Sequence, residues 1–298
     1  YYSLRVRFCQ EANEIFLLNF YSPELYFMQN NAKINRKRRD TMRIVIKVGT
    51  STLTHASGRL NIRRVEQLCK VISDLKNAGH EIVLVSSGAI AMGVGKLGLL
   101  KRPQDMPTKQ AAAAVGQCEL MDTYDRLFSD YHHTVAQILL TGSDIANEQR
   151  RENFHNTLFR LLELGVLPVI NENDTIATDE IVIGDNDTLG AVVAVNAEAD
   201  LLILLSDIDG LYTGDPHTDP EAKLIDFVPE LTPEILALGG GSVSGLGTGG
   251  MATKLHAAQL VTQAGCNMVI ANGERPELLY EIIEGRRVGT RFAGRSSK

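Results

Sequence analysis

The sequence predicts an α/β protein: a mostly parallel sheet covered by helices on both faces. Three observations carry that prediction. Short, β-branched apolar runs alternate along the chain with longer segments whose apolar residues recur at helical spacing. The strand-like runs are apolar at nearly every position, as strands buried on both faces are. Just past several of them the chain turns small, polar and charged, at the carboxyl ends of strands where such sheets bind ligands.

Arg43-Ile-Val-Ile-Lys-Val48 is the first strand, ended by Gly49. Asn61 caps a helix whose stripe of Val65, Leu68, Ile72 and Leu75 faces the sheet, and Gly79 ends it. The unit then repeats. Glu81 to Val85 is a strand, Thr108 to Ser129 a helix, Thr134 to Leu140 a strand, Asn147 to Leu164 a helix and Val166 to Ile170 a strand. After a polar loop come a helix over Asn186 to Ala197, strand Leu201 to Leu205, a second polar loop, a helix over Gly250 to Ala264 and strand Met268 to Ala271. No internal repeat occurs, and no Pro- or Ser-rich linker divides the body.

Composition narrows the function classes. A chain of 298 residues with 44% apolar and 22% charged residues, 26 Gly and 9 Pro has the make-up of a folded globular protein, as two domains or one large α/β unit. The formal charge of −6 supplies no net basic field for a nucleic-acid backbone or an anionic membrane, so neither is an expected partner. Cys9, Cys69, Cys118 and Cys266 stand far apart, with no CxxC pair, which suggests neither a disulfide framework nor a zinc site and suits a reducing compartment. No apolar run has the length of a membrane span, and Ile15 to Leu18 is too short for a signal-peptide core, so a soluble cytoplasmic protein is expected.

Residues 1–41 differ from the rest. They hold eight of the seventeen aromatic residues and carry a net charge of +3, leaving −9 for the remainder. A basic run, Arg36 to Arg39, ends the segment close to Met42. It is a candidate nucleic-acid patch or targeting arm, but without helix or strand periodicity it reads better as an appended N-terminal segment, with the working protein starting at Met42.

Four loops carry the candidate chemistry: Lys47-Val-Gly-Thr-Ser51, Ser86-Ser-Gly-Ala89, Asn171-Glu-Asn-Asp174 and Ser206-Asp-Ile-Asp-Gly210. Glycine lets the backbone approach a ligand, and main-chain N–H groups beside hydroxyls form a concavity suited to phosphate or carboxylate. Ser87 is either a ligand-binding hydroxyl or a helix cap. Lys47 lies inside an apolar strand, where its ammonium needs an anion unless it snorkels to water. Lys254 sits in the first turn of a helix, against the dipole, and a bound polyphosphate would account for it. The seven glycines from Gly239 to Gly250 ahead of it equally suit a surface loop. Gly93 to Gly98 and Gly245 to Gly250 both spell GxGxxG, but neither has the strand–turn–helix context of a dinucleotide site, and no GxxxxGK[ST] P-loop occurs. Asp174, Asp185 and Asp187 flank Thr175 to Gly184, which reads as a hairpin that gathers the three carboxylates to bind a substrate ammonium, orient the lysines or share Mg²⁺ with phosphate. Taken singly, each reads better as a solvated or capping acid, with Asp185 or Asn186 capping the helix that follows.

The stretches IKVGTSTL, VSSGAIAMG, INENDTIAT, IGDNDTLGA, LLSDIDGLYTGDP and SVSGLGTGGMATKLHAA resemble the glutamate 5-kinase branch of the amino acid kinase family over Met42 to about Phe292. The resemblance implies a three-layer α/β/α sandwich with a mostly parallel central sheet, transferring the γ-phosphoryl group of ATP to the side-chain carboxylate of L-glutamate in the first step of proline synthesis. It implies Lys47, Lys254 and Asp187 as catalytic residues and Ser87, Asp174 and Asn186 as glutamate ligands. ATP with Mg²⁺ would be held by Lys47, Ser206, Asp207, Thr248, Gly249, Gly250, Met251, Ala252, Thr253 and Lys254. Residues 42–199 would form a glutamate-binding lobe and 200–298 an ATP-binding lobe, in a homo-oligomer (dimer or tetramer) subject to feedback by proline. The chain resembles a short form without the C-terminal PUA domain of many bacterial members, and residues 1–41 have no counterpart in the pattern. The competing readings are a sibling kinase acting on N-acetylglutamate, aspartate or UMP, a non-catalytic amino-acid or nucleotide sensor, and, more remotely, a Rossmann oxidoreductase.

Overall fold

The first strand of the chain is the central one. β1 (Arg43–Val48) pairs in parallel with β2 (Glu81–Ser86) on one side and with β5 (Leu201–Ser206) on the other. The computed structural model describes residues 41–295 apart from 56, 58, 177–184, 217 and 241–249. The appended segment, most of the expected hairpin and most of the second GxGxxG match lie outside the described residues.

Between β1 and β2 run α1 (Thr50–Leu53) and α2 (Ile62–Asn77). The Asn61 side chain accepts from Arg64 N at the start of α2; Val65, Leu68, Ile72 and Leu75 are buried, and Gly79 leaves the helix at φ 101°. α3 (Ala89–Lys96) and α4 (Met106–Ser129) lead to β3 (Val135–Leu140); α5 (Gly142–Ala146) and α6 (Glu148–Glu163) lead to β4 (Leu167–Glu172). Beyond the 177–184 gap, α7 (Asn186–Asn196) precedes β5. Then come β6 (Phe227–Val228), α8 (Pro233–Ala237), α9 (Met251–Gln263), β7 (Asn267–Asn272), α10 (Leu278–Ile283) and β8 (Thr290–Phe292).

These strands form one sheet in the order β3-β4-β2-β1-β5-β7-β8-β6. All neighbours are parallel except β7 and β8, so β8 and β6 run against the rest. Sequence periodicity did not indicate β6 and β8, because runs of two and three residues are too short to show alternation. β4 extends past Ile170 because Asn171 and Glu172 pair with Leu139 and Leu140, so two residues expected in a loop are buried strand.

Side chains alternate across the sheet, and that alternation makes three layers. Ile44, Ile46 and Val48 of β1, with Ile82, Leu84, Ile203 and Leu205, pack against Val65, Leu68 and Ile72 of α2, Leu120, Tyr124 and Phe128 of α4 and Leu279 and Ile282 of α10. Val45 and Lys47 point to the other face, where α7 and α9 pack on each other and on the sheet. Gly190 on α7 lies against the Lys47 stem: a Cβ there would meet Lys47 Cβ at 3.2 Å.

The first GxGxxG match has a packing role. A Cβ on Gly93 would overlap the Ala112 carbonyl, and one on Gly116 would overlap the Ala89 carbonyl, so α3 and α4 touch backbone to backbone through their small residues. Gly93→Ala forces these helices apart and should lower the unfolding free energy by about 2 kcal/mol, within the usual range for overpacking. Urea unfolding measures this directly, and a wild-type midpoint would show that the helix pair has room to spare.

Candidate active site

Because β1, β2, β4 and β5 are parallel, their carboxyl ends open on one edge. The loops are tied to one another there. Gly49 N donates to Leu205 O (3.2 Å), Ser87 N to Val48 O (3.2 Å), and Gly273 N to Ser206 O (2.7 Å). α7 and α9 begin at the same edge, bringing helix N-terminal N–H groups to it.

At the centre of this edge is one carboxylate between two ammonium groups. Lys47 Nζ donates to Asp187 Oδ1 at 2.5 Å and Lys254 Nζ to Asp187 Oδ2 at 3.0 Å. All three side chains are buried: Lys47 is 7% exposed, Lys254 3% and Asp187 1%. Lys47 therefore does not snorkel to water, and Lys254 is anchored despite its place at a helix start. Burial alone would push Asp187 up; the charges and hydrogen bonds of the two lysines overcome it and hold the carboxyl below the usual carboxylate range. The cluster carries a formal charge of +1 in a buried setting, which favours a further anion beside it. The Thr253 hydroxyl donates to Gly250 O (2.7 Å) and lies 3.2 Å from Asp187 Oδ2.

A second group lies alongside. Asn186, first residue of α7, donates through Nδ2 to Ser87 Oγ (2.8 Å) and to Asn171 Oδ1 (3.4 Å). Its own Oδ1 is buried with no hydrogen-bond partner among the described residues. Ser87 is not a helix cap: α3 is capped by Gly88 at φ 96°, without a side-chain bond.

The three acids do not act as one cluster. Asp185 is the cap of α7, its Oδ1 accepting from Asp187 N (2.8 Å) and Thr188 N (2.9 Å) and its Oδ2 from Thr188 Oγ1 (2.9 Å). Asp187 belongs to the lysines. Asp174, just beyond β4, is half-buried, and the loss of solvent pushes its pKa up to about 6 against the opposing charge of Arg102.

On the other flank, Ser206 ends β5 and donates to Asp207 Oδ1 (3.0 Å); Asp207 is exposed. Gly250 caps α9 without a side-chain bond, which leaves the N–H groups of Met251, Ala252 and Thr253 at an uncapped helix start. Thr248 and Gly249 lie outside the described residues. Among the described residues no group of three His, Cys, Asp or Glu side chains could hold a metal by itself. The reading of the residues did not single out Gln117 and Gly190, which border the site. Gln117 is one of several polar positions on its helix, and only the tertiary structure brings it to Asn171.

Two ammonium groups held on one carboxylate thus lie buried at the strand ends of a three-layer α/β/α sheet whose sequence has no P-loop. The chain belongs to the amino acid kinase family, whose model matches residues 42–272. It is 51% identical over 264 residues to the glutamate 5-kinase of Clostridium perfringens, covering 87% of this chain and 98% of that protein. It is also 51% identical over 256 residues to the glutamate 5-kinase of Moorella thermoacetica, covering 86% of this chain and 68% of that one. Among solved structures, the carbamate kinase of Giardia lamblia bound to AMP-PNP superposes with a TM-score of 0.61 at 17% identity over 85% of this chain and 98% of that one. The UMP kinase of Bacillus anthracis gives 0.59 at 16% identity over 87% and 99%; both share the fold.

Two outcomes follow from the buried charges. Asp187→Ala removes the carboxylate that both buried ammonium groups share and should cost about 3–5 kcal/mol of stability, measured by denaturant unfolding; a loss under about 1 kcal/mol would show that the lysines do not depend on it. Asp174 has a folded pKa near 6 against an ordinary 3.8, so the stability tied to its protonated form is whole below about pH 4 and lost as pH rises through 6. Asp174→Asn should therefore melt higher than wild type at pH 7.5, with the difference vanishing towards pH 4, and an equal difference at both pH values would contradict that linkage.

Proposed function

We propose that the chain is an ATP-dependent kinase that phosphorylates the side-chain carboxylate of L-glutamate, giving γ-glutamyl phosphate at the entry to proline synthesis. Close similarity to glutamate 5-kinases along nearly their whole length supports the substrate pair. The Lys47–Asp187–Lys254 cluster is the structural observation that carries the chemistry. In the reaction an oxygen of the glutamate γ-carboxylate attacks the γ-phosphorus of ATP, the bond from phosphorus to the β,γ-bridging oxygen breaks, and ADP leaves with that electron pair. The attacking carboxylate is already ionised at neutral pH, so no general base is required. What remains for the protein is alignment and charge stabilisation. Lys47 and Lys254 hold their ammonium groups where negative charge gathers on the transferring oxygens, and Asp187 fixes both without neutralising them.

The glutamate subsite lies in the 42–199 lobe, with Ser87, Asp174 and Asn186 as its ligands. The ionised Asp174 and the unpartnered Oδ1 of Asn186 suit an α-ammonium group, which has donors only. The nucleotide subsite lies in the 200–298 lobe, with Ser206, Asp207 and the stretch 248–254 around the uncapped start of α9. Mg²⁺ takes few protein ligands and much of its shell from phosphate and water, so Asp207, an exposed carboxylate just past β5, would hold it together with the nucleotide. It would supply further charge neutralisation on the phosphates. Proline acts at or beside the glutamate subsite, and the enzyme works as a homo-oligomer in the cytoplasm. No helix among the described residues is long and apolar enough to cross a membrane.

The sibling kinases are separated by the amine, because a site with acceptors for an ammonium group is left unpaired by an acylated or absent one. The decisive measurement is ADP release from Mg-ATP with L-glutamate, N-acetylglutamate, aspartate and UMP offered separately, and hydroxylamine present to trap an acyl phosphate. Glutamate-dependent ADP release with hydroxamate is expected, and Lys254→Ala should remain folded while turning over at least about a hundredfold more slowly. Turnover with another acceptor would reassign the substrate, none would favour the sensor, and near wild-type turnover by Lys254→Ala would remove that lysine from the reaction.

A further inference from the structure

We infer that Gln117, on α4 and outside the substrate subsite, is a positioning residue that holds Asn171 in place and, through it, keeps Oδ1 of Asn186 turned to the substrate. The inference rests on the reading of Asn186 as a glutamate ligand. Four carboxamide side chains run in line from the outer edge of the sheet to the site. The direction at Asn171 is read from its Oδ1, which accepts from Glu172 N (2.9 Å), a group that can only donate. Its Nδ2 must then donate, and does so to Gln117 Oε1 (3.0 Å). Gln117 Nε2 in turn donates to Gln137 Oε1 (3.2 Å). On the inner side, Asn171 Oδ1 also receives Asn186 Nδ2 (3.4 Å), whose other bond goes to Ser87 Oγ (2.8 Å).

A carboxamide has one acceptor end and one donor end, so reversing any member would set like against like. The result at the inner end is that both Asn186 bonds use its NH₂ group, and the buried Oδ1 is left for an incoming donor. An α-ammonium group fits that vacancy; a dicarboxylate without an amine does not. Gln117 matters because Asn171 is only 2% exposed, and without Gln117 its Nδ2 would be buried with no acceptor. The Asn171 side chain would then rotate to regain a partner, and the atom that orients Asn186 would move with it.

The test compares full-length wild type, Gln117→Met and Gln117→Glu. Methionine keeps length and helix propensity while removing the acceptor. Glutamate keeps an acceptor for Asn171, and the exposed Gln137 side chain is free to reverse and present its NH₂ group to the new carboxylate. The readouts are KM for L-glutamate, KM for ATP, and the inhibition constant of glutarate, which lacks the amine. Gln117→Met should raise KM for L-glutamate at least about tenfold, the scale of one hydrogen bond to a charged group, while KM for ATP and the glutarate constant stay put. Gln117→Glu should restore KM for L-glutamate towards wild type. An unchanged KM in Gln117→Met would overturn the inference, as would equal weakening of glutamate and glutarate, or failure of Gln117→Glu to rescue. Should Gln117→Met not fold, Gln137→Ala at the exposed end should give a smaller rise in the same direction, and no rise there overturns the inference too. A wild type without glutamate-dependent ADP release would defeat the parent reading instead, a result distinct from an active wild type beside an indifferent variant.

Discussion

The buried Lys47–Asp187–Lys254 cluster is the constraint around which the rest is arranged. Two ammonium groups and a carboxylate removed from water are costly unless every charge is engaged, and the gain from engagement depends on close geometry. The three residues come from the central strand and from the starts of two helices, so β1, α7 and α9 must sit in register to within a fraction of an ångström. Gly190 allows α7 to settle on the Lys47 stem, and Asp185 fixes the start of α7 so that Asp187 points inward. A positively charged centre results that is held still before any ligand arrives. Preorganised charge of this kind lowers a barrier more than mobile charge does, because nothing has to reorient during the reaction.

Around the cluster the acidic residues have separate duties. Asp185 is spent on backbone N–H groups, Asp187 on ammonium groups, and Asp174 stays in a half-buried setting where its charge is poorly solvated. A carboxylate of that last kind gains most when a cation comes beside it, which makes it suited to a ligand. The neighbouring amides complete the contrast, since each has a defined donor and acceptor direction.

Much of the fold was legible in the sequence because its elements are long and strongly patterned. Val65, Leu68, Ile72 and Leu75 give the helical stripe of α2, and the run from Arg43 to Val48 could hardly be anything but a buried strand. β6 and β8 were not legible, since a strand of two or three residues is defined by its neighbours rather than by its own pattern. At the site, Lys47 and Lys254 stood out as charges in places that resist charge, and that anomaly is local. The partnership with Asp187 is not local, and neither is the position of Gln117, which nothing in the sequence separates from the other polar residues of its helix. The GxGxxG at Gly93 shows the opposite error: a motif can match while its glycines serve helix packing.

The central place of β1 also sets the order in which the molecule can be assembled. Ile44 pairs with Leu201, and Asp187 reaches Lys47 from 140 residues further along the chain. During synthesis from the N-terminus, β1 is therefore made early but keeps one open edge until β5 leaves the ribosome, and Asp187 meets its second lysine only when α9 follows. Long-range parallel pairing of this kind closes slowly and exposes apolar strand meanwhile. A truncated or stalled product would carry that strand, Ile44 to Val48, unsheltered, making it a natural point at which chaperones or proteases meet the unfinished chain.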